Sequence, residues 1–235
     1  MIRLALAAVV GYLLGSVSFA RIVAARTLPG VDVADTEIEA APGFAYRVGR
    51  VSPGAVGRRA GARAGGLASL GDMAKGAVAV GATTAVLGRP AGAVAGAASV
   101  VGHAFPIFHR FDGAFGQSPI IGASLVLAPR SLPVAVVMGH IGSWLVGDSL
   151  VHGLLWPVFL VPWGARRADP AFVGFSVAAN AIYLVRVWPQ IRQRLEHRRS
   201  HPASARERWA ELAASYRSNP FASPEVADEG EGEVG

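Results

Sequence analysis

Long runs of hydrophobic residues, separated by short polar or glycine-rich turns, make up most of this chain. The first run, residues 4–23, is interrupted only by two serines and an arginine, and about 20 residues is the length that an α-helix needs to cross a bilayer. Further runs cover residues 65–87, 91–108, 116–128, 132–146, 150–163 and 171–187. The pattern predicts an all-α, polytopic integral membrane protein, a helical bundle of about seven transmembrane helices joined by short loops.

Two features leave the number of spans open. Several runs are shorter than about 18 residues, so re-entrant segments are an alternative, and five spans would then replace seven. The first run also has the features of a cleaved signal peptide, because Arg3 precedes it and a small-x-small site stands at residues 18–20. The later runs would hold the protein in the membrane in either case.

Small residues are frequent inside the hydrophobic runs. They include Gly11 with Gly15 and Gly92 with Gly96, both in the pattern Gly-x-x-x-Gly. Such pairs let the backbones of two helices approach closely. We expect these contacts within the chain, with a dimer interface as the alternative.

The basic residues indicate how the helices are oriented. Residues 27–63 form a polar loop that is first acidic and then rich in arginine, and residues 186–217 are rich in arginine as well. Because cytoplasmic segments carry an excess of basic residues, both are expected on the cytoplasmic side, which requires an odd number of spans. Arg166 and Arg167 would then lie outside, against the same rule.

These patterns divide the chain into three parts. Residues 1–195 are expected to form the membrane domain, which includes the polar cytoplasmic loop at 27–63. Residues 196–218 are expected to form an amphipathic surface helix, with Trp209, Leu212, Ala213 and Tyr216 on one face. Residues 219–235 are rich in acidic residues and are expected to be a disordered tail.

Composition agrees with a membrane protein and excludes several classes of chemistry. Hydrophobic residues make up 52% of the chain and charged residues only 16%, against about 25% charged in soluble domains. The absence of cysteine excludes disulfides, thiolate metal sites and catalytic thiols, and we expect no cofactor and no metal. The net charge of +6 comes from basic residues that flank hydrophobic runs, which is typical of membrane anchors and does not indicate nucleic-acid binding.

One charged pair lies inside a hydrophobic run. Lys75, the one lysine of the chain, follows Asp72 at a spacing that places both on the same face of a helix. Ionisable groups inside a span are costly and usually face a cavity or a partner, so the pair is a candidate functional site. A structural ion pair at the membrane boundary is the alternative.

A second cluster joins a histidine to a glycine-rich turn. His103 stands at the end of a hydrophobic run, and Gly113 and Gly116 belong to the turn that opens the next run. Free backbone amides in such a turn can bind an anion. The histidine is a candidate base, or alternatively a structural residue at the membrane boundary.

With these residues the chain resembles the bacterial acyl-phosphate:glycerol-3-phosphate acyltransferases, the PlsY family of integral membrane enzymes. The resemblance covers roughly residues 2–195, and its segments occur in family order: 15–19, Arg58 before Gly61 and Gly65, 72–76, 102–106 with Phe111 and Gly113, and Ser149 with Leu150. It implies seven spans in the bacterial plasma membrane and an active site on the cytoplasmic side. It also implies acyl transfer from an acyl phosphate to glycerol 3-phosphate or a similar phosphorylated acceptor, among membrane lipids.

The reaction that the resemblance implies needs groups that hold two phosphates, stabilise an oxyanion and accept a hydroxyl proton. His103, Lys75 and Asp72 are the candidate catalytic residues, with His103 as the base and Asp72 orienting Lys75. The candidate substrate-binding residues are Arg58, Arg50, Arg59, Gly113, Gly116 and Ser149.

The chain departs from the family pattern at polar positions. The family's Gly-Ser-Gly-Asn-x-Gly-Ala-Thr-Asn loop is replaced at residues 47–55, and Asp112 and Phe115 stand where the family's glycine loop has two lysines. A carboxylate in place of a cation repels phosphate. Two interpretations therefore stay open: an acyltransferase of phospholipid biosynthesis, and a catalytically inactive PlsY-like membrane protein that binds lipid or scaffolds a partner. The Asp72–Lys75 pair inside a hydrophobic run leaves a transporter or small channel as a third interpretation.

Overall fold

The computed structural model describes residues 1–41 and 44–217, and within residues 38–41, 44–46 and 215–217 it describes the backbone only. The acidic tail expected at 219–235 lies outside the described residues. The described α-helices are α1 (Ile2–Ser16), α2 (Phe19–Thr27), α3 (Pro53–Ala60), α4 (Ala62–Leu87), α5 (Arg89–Ala104), α6 (Gln117–Leu127), α7 (Ser131–Val146), α8 (Ser149–Val158), α9 (Leu160–Arg166), α10 (Pro170–Ser200) and α11 (Ala205–Arg217).

The polar loop at 27–63 contains two short strands and helix α3. Strand β1 (Glu37–Ala41) pairs antiparallel with β2 (Phe44–Arg47), with Glu37 opposite Arg47. This hairpin is a small addition to a chain whose remaining described elements are helical, so the expected all-α class is confirmed.

Each hydrophobic run forms a helix or a pair of helices. The first is interrupted after Ser16 and resumes as α2, and the run at 150–163 is divided at Phe159 into α8 and α9, just after Pro157. Within the part of the chain that the structure describes, three segments are long and apolar enough to cross a membrane, namely Ile2–Thr27, Arg89–His109 and Pro170–Ser200. Helices α6 and α7 are apolar but shorter. The exact number of membrane crossings therefore stays a prediction.

Contacts between helices show that the chain runs back and forth between two ends of the bundle. Arg89 at the start of α5 donates a hydrogen bond to the carbonyl of Leu127 at the end of α6 and forms an ion pair with Asp169, just before α10. At the other end, Asp148 before α8 forms ion pairs with Arg194 near the end of α10. We call this second end, where α1, α5, α7 and α10 finish, the site end.

Helices α1 and α5 pack with their backbones almost in contact. A Cβ atom at Gly11 would overlap the backbone of Ala95, and one at Gly15 would overlap that of Ser99. Residue numbers increase in the same direction along both helices from the first contact to the second, so α1 and α5 are parallel. The Gly11–Gly15 motif therefore makes a contact within the chain, as expected.

The second glycine pair and the largest hydrophobic cluster lie deeper in the bundle. Gly92 and Gly96 of α5 both pack against Val80 of α4. Val80 belongs to a cluster that joins α4, α5, α6 and α10, in which Phe172 is fully buried. This packing holds the ends of α5, α6 and α10 in fixed positions at the site end.

The region expected to form one amphipathic helix at 196–218 contains two elements. Helix α10 continues to Ser200, and α11 begins at Ala205. The side chain of Leu212 is only 1% exposed, and the indole of Trp209 donates a hydrogen bond to the carbonyl of Trp144 at 3.1 Å. Helix α11 is therefore docked on the site end of the bundle.

Candidate active site

Asp72 and Lys75 lie beside the interruption between α1 and α2. The ammonium of Lys75 donates to the carbonyl oxygens of Gly15, at 2.8 Å, and Val17, at 2.5 Å, where α1 ends. The carboxylate of Asp72 accepts from the backbone N–H of Phe19, at 3.3 Å, where α2 begins. A cation thus lies at a helix C-terminus and an anion at a helix N-terminus, which is the favourable arrangement at both ends of a broken helix.

His103 completes a buried trio with these two residues. The Nζ atom of Lys75 lies 2.8 Å from Oδ1 of Asp72 and 2.8 Å from Nδ1 of His103, while Nδ1 and Oδ1 are 3.7 Å apart. The exposed fractions are 0% for Asp72 and 5% each for Lys75 and His103. The three candidate catalytic residues are therefore brought together, with Lys75 between the other two.

A cavity of about 500 Å³ opens beside this trio at the site end. His103 lines it, whereas Asp72 and Lys75 are not among the lining residues that the structure describes. His103 is therefore the member of the trio that a bound molecule can contact. The volume is in the range of small-molecule sites.

Three helices begin at the wall of this cavity. Their first residues line it in groups: Ser52 to Gly54 at the start of α3, Gly116 to Ser118 at the start of α6, and Asp148 to Leu150 at the start of α8. The side chains of Ser52 and Asp148 already cap their own helices, but α6 has no side-chain cap. Free N–H groups and the positive end of the helix dipole make the start of α6 suited to an anion.

The glycine turn before α6 is held by two arginines from distant parts of the chain. Arg50 donates to the carbonyl of Gly113 at 3.4 Å, and Arg186 donates to the same carbonyl and, at 3.2 Å, to that of Ala114. Gly116 has a φ of +100°, a conformation that favours glycine. Burial lowers the pKa of Arg50 below its ordinary value, and the Asp112 carboxylate partly offsets this.

The two residues that replace the family's lysines have different positions. Asp112 forms an ion pair with Arg21 at 2.7 Å and is not among the described cavity-lining residues. Phe115 lines the cavity, and the guanidinium of Arg50 lies 5.7 Å from the centre of its ring. Arg50 and Arg186 therefore bring positive charge to the part of this turn that lies next to the cavity.

The other predicted substrate-binding residues are dispersed. Ser149 lines the cavity. Arg58 is half-buried in α3 but does not line the cavity among the residues described, and Arg59 turns away from it to the carbonyl of Asp35, at 2.5 Å. Of the predicted substrate-binding residues, those at or next to the cavity are Arg50, Gly113, Gly116 and Ser149. Arg58 and Arg59 of α3 do not line it.

Sequence reasoning missed an ionic cluster on the opposite wall of the cavity. Asp148 accepts from Arg194 at 3.1 Å and from Arg198 at 3.0 Å, and Glu211 of α11 accepts from Arg194 at 3.4 Å. Arg194 and Asp148 both line the cavity. Arg194 and Arg198 are one helical turn apart in α10, so their spacing predicts that they share a face of the helix. It does not predict that Asp148 is their partner.

Comparison with known proteins shows the family of this chain. The family model described as "Glycerol-3-phosphate acyltransferase" matches residues 5–197. A glycerol-3-phosphate acyltransferase from Burkholderia vietnamiensis is 33% identical over 196 residues, which are 78% of this chain and 82% of that protein. One from Hahella chejuensis is also 33% identical, but over 118 residues, so that 49% of this chain matches 59% of that relative's length.

A crystal structure of PlsY (YgiH), an integral membrane glycerol 3-phosphate acyltransferase in its glycerol 3-phosphate form, has a similar fold. The TM-score is 0.69 at 22% identity, and the match covers 83% of this chain and 93% of that one. Helix α11 begins beyond the residues that the family model matches. The chain belongs to the glycerol-3-phosphate acyltransferase family.

Proposed function

We propose that this protein is an integral membrane acyltransferase of phospholipid biosynthesis, which transfers an acyl group from an acyl phosphate to glycerol 3-phosphate or a related acceptor. The observation that carries the proposal is the convergence of His103, the uncapped start of α6 and the arginine-held glycine turn on one cavity. Both substrates are anionic, and the start of α6 together with Arg50 and Arg186 supplies the positive potential that they require.

In this proposal the substrate phosphates bind between the glycine turn and the start of α6. Arg50 and Arg186 fix the turn, while His103 contacts the reacting groups from the side. Asp72 and Lys75 are buried behind His103 and act through it. Ser149 lines the same cavity, where its side chain can contact the acceptor.

We further propose that the site end faces the cytoplasm of a bacterial cell and that the membrane is the plasma membrane. The arginines of the 47–63 loop and those near the end of α10 lie at this end, which agrees with the excess of basic residues in cytoplasmic segments. Because the chain has no cysteine, single cysteines at Ser200 and Arg130 can be labelled with a membrane-impermeant reagent. Labelling of Ser200→Cys from outside intact cells would contradict this orientation.

The experiment that tests the function is acyl transfer by the purified protein in lipid, with labelled acyl phosphate and glycerol 3-phosphate. His103→Ala is expected to slow product formation by about 100-fold or more, the usual effect of removing a group that stabilises the transition state. His201→Ala, an exposed histidine after α10, is the matched control and should leave the rate unchanged. If the folded wild-type protein forms no product from acyl phosphate and glycerol 3-phosphate, the result would contradict the proposal and favour the inactive, lipid-binding interpretation.

A further inference from the structure

We infer that His103 is held in one tautomer by Lys75, with its proton on Nε2, and that it acts on the substrate as a hydrogen-bond donor and not as a base. The inference rests on the proposed function for its chemical role, but the tautomer itself follows from the contacts of Lys75. Lys75 is then a positioning residue for His103.

The first step concerns the charge of Lys75. Its Nζ atom has four polar neighbours within 2.8 Å: the carbonyl oxygens of Gly15 and Val17, Oδ1 of Asp72 and Nδ1 of His103. The two carbonyls can only accept, and so can the carboxylate when ionised. Three acceptor oxygens around one nitrogen are satisfied by the three N–H groups of an ammonium, so Lys75 is an ammonium. Nδ1 of His103 is a fourth neighbour and shares one of these N–H groups with an oxygen.

The second step concerns the imidazole. An ammonium has no lone pair, so Nδ1 of His103 cannot donate a proton to it and must accept. A doubly protonated ring would also place an N–H against the ammonium at 2.8 Å, with two positive charges in contact. His103 is therefore neutral, and its proton is on Nε2.

The third step concerns the cavity. His103 lines the cavity while its Nδ1 is turned to Lys75, so Nε2–H is the polar group that the ring presents to a substrate. A neutral imidazole whose only free lone pair is already engaged cannot take a proton from a hydroxyl. It can donate a hydrogen bond to an oxygen that gains negative charge.

The reaction balances without a basic histidine. The acceptor hydroxyl oxygen attacks the carbonyl carbon of the acyl phosphate, the bond between that carbon and the phosphate oxygen breaks, and the hydroxyl proton leaves with the phosphate. Nε2–H stabilises the negative charge that develops on the carbonyl oxygen or on the departing phosphate, and His103 ends the cycle with the proton it began with.

The tautomer can be tested without activity. In ¹⁵N-histidine-labelled full-length protein in lipid, the nitrogen spectrum distinguishes protonated from unprotonated ring nitrogens. Among the signals of the six histidines, those lost in His103→Gln belong to His103 and those lost in His140→Gln belong to His140. We expect an unprotonated Nδ1 and a protonated Nε2 for His103. A proton on Nδ1, or on both nitrogens, would overturn the inference.

Lys75→Met tests the positioning role by the same measurement. The His103 signals should change to a mixture of tautomers, whereas those of His140, on a different helix, should not change. A single unchanged tautomer at His103 would contradict the role of Lys75. If this variant does not insert, the wild-type spectrum still decides the tautomer.

Activity then separates a donor from a base. The amide of glutamine can place an N–H near the position of Nε2 but is not basic. His103→Gln should therefore retain at least about tenfold more acyl transfer than His103→Ala, the usual scale of a hydrogen bond to a charged group. Equal loss in both variants would exclude the donor role. Absence of acyl transfer in the wild type would overturn the proposed function and leave the tautomer measurement to stand by itself.

Discussion

The carboxylate of Asp112 lies 2.7 Å from the guanidinium of Arg21. This ion pair joins the glycine turn to α2 and directs the negative charge of Asp112 away from the cavity. In the sequence, Asp112 stands where the PlsY family has a lysine and would be expected to repel a phosphate. In the structure, Arg21 largely neutralises it.

Loss of the Asp112 charge should therefore have little effect on catalysis. Exposed ion pairs contribute about 0.2–1 kcal/mol, so Asp112→Asn should alter acyl transfer by less than about fivefold. The check is the ratio of kcat to KM for glycerol 3-phosphate. A gain of tenfold or more in that ratio would show that Asp112 does repel the substrate.

Arg186 should matter far more than the residues that replace the family's lysines. Its guanidinium donates to two carbonyls of the glycine turn and is almost fully buried. Hydrogen bonds to charged groups contribute about 1.5–3 kcal/mol, so Arg186→Gln should lower kcat/KM by about 10- to 100-fold.

The matched control for Arg186 is Arg166→Gln, an exposed arginine at the opposite end of the bundle. It should leave the kinetics unchanged. Equal effects of the two substitutions would mean that Arg186 acts only through the net charge or the folding stability of the protein, and not through the glycine turn.

Close packing of α1 on α5 makes Gly11 intolerant of any side chain. A Cβ atom there would overlap the backbone of Ala95, and overpacking of this kind costs about 1–3 kcal/mol. Gly11→Ala should lower the melting temperature measured in detergent. Gly81→Ala in α4, where a Cβ atom meets nothing within 4 Å, should be neutral or slightly stabilising, because alanine favours the helix.

Docking of α11 should depend on Leu212. Truncation of this buried side chain to alanine removes apolar contacts worth roughly 2–5 kcal/mol in a packed core. Amide hydrogen exchange in residues 205–214 should become faster in Leu212→Ala, while exchange in α5 stays slow. Arg206→Ala, on the exposed side of the same helix, should leave both unchanged, and a general increase in exchange would contradict local docking.

Helix α11 begins with a capping box that also predicts a pH effect. The carboxylate of Glu207 accepts from the N–H of Ser204 at 2.7 Å, and the hydroxyl of Ser204 accepts from the N–H of Glu207 at 3.3 Å. The backbone N–H of Ser204, with its hydroxyl as the smaller contribution, lowers the pKa of the Glu207 carboxyl below its ordinary value. The cap therefore contributes stability above the ordinary pKa of glutamate and loses it as the pH falls through the lowered value.

Carboxyl NMR of glutamate-labelled protein can measure this titration. Ser204→Ala removes the hydroxyl partner and should move the Glu207 pKa toward its ordinary value. If the Glu207 pKa is unchanged in that variant, the serine hydroxyl does not contribute to the lowered pKa. The pattern Ser-x-x-Glu at residues 204–207 is the usual sequence signature of such a cap.

Most of the helices were predictable, because each depends on a local run of hydrophobic residues that no alternative structure can bury in a membrane. The interruption of the first helix was less so. Ser16 and Ser18 mark it in the sequence, but the break is stabilised by Asp72 and Lys75 from another helix. The pairing of β1 with β2 was not predicted, since each strand is only four or five residues long and such short segments give a weak periodic signal.

The sequence by itself determined the helices, the segments rich in arginine and the proximity of Asp72 to Lys75, because all three depend on neighbouring residues or on helical periodicity. Only the tertiary structure decided that Lys75 lies against His103, that Arg186 holds the glycine turn and that Arg21 neutralises Asp112. Lys75 and His103 are 28 residues apart in the sequence. The separation is 73 residues between Arg186 and Gly113 and 91 residues between Arg21 and Asp112. Such contacts depend on how helices pack side by side, and packing between distant segments leaves no periodic pattern in the sequence.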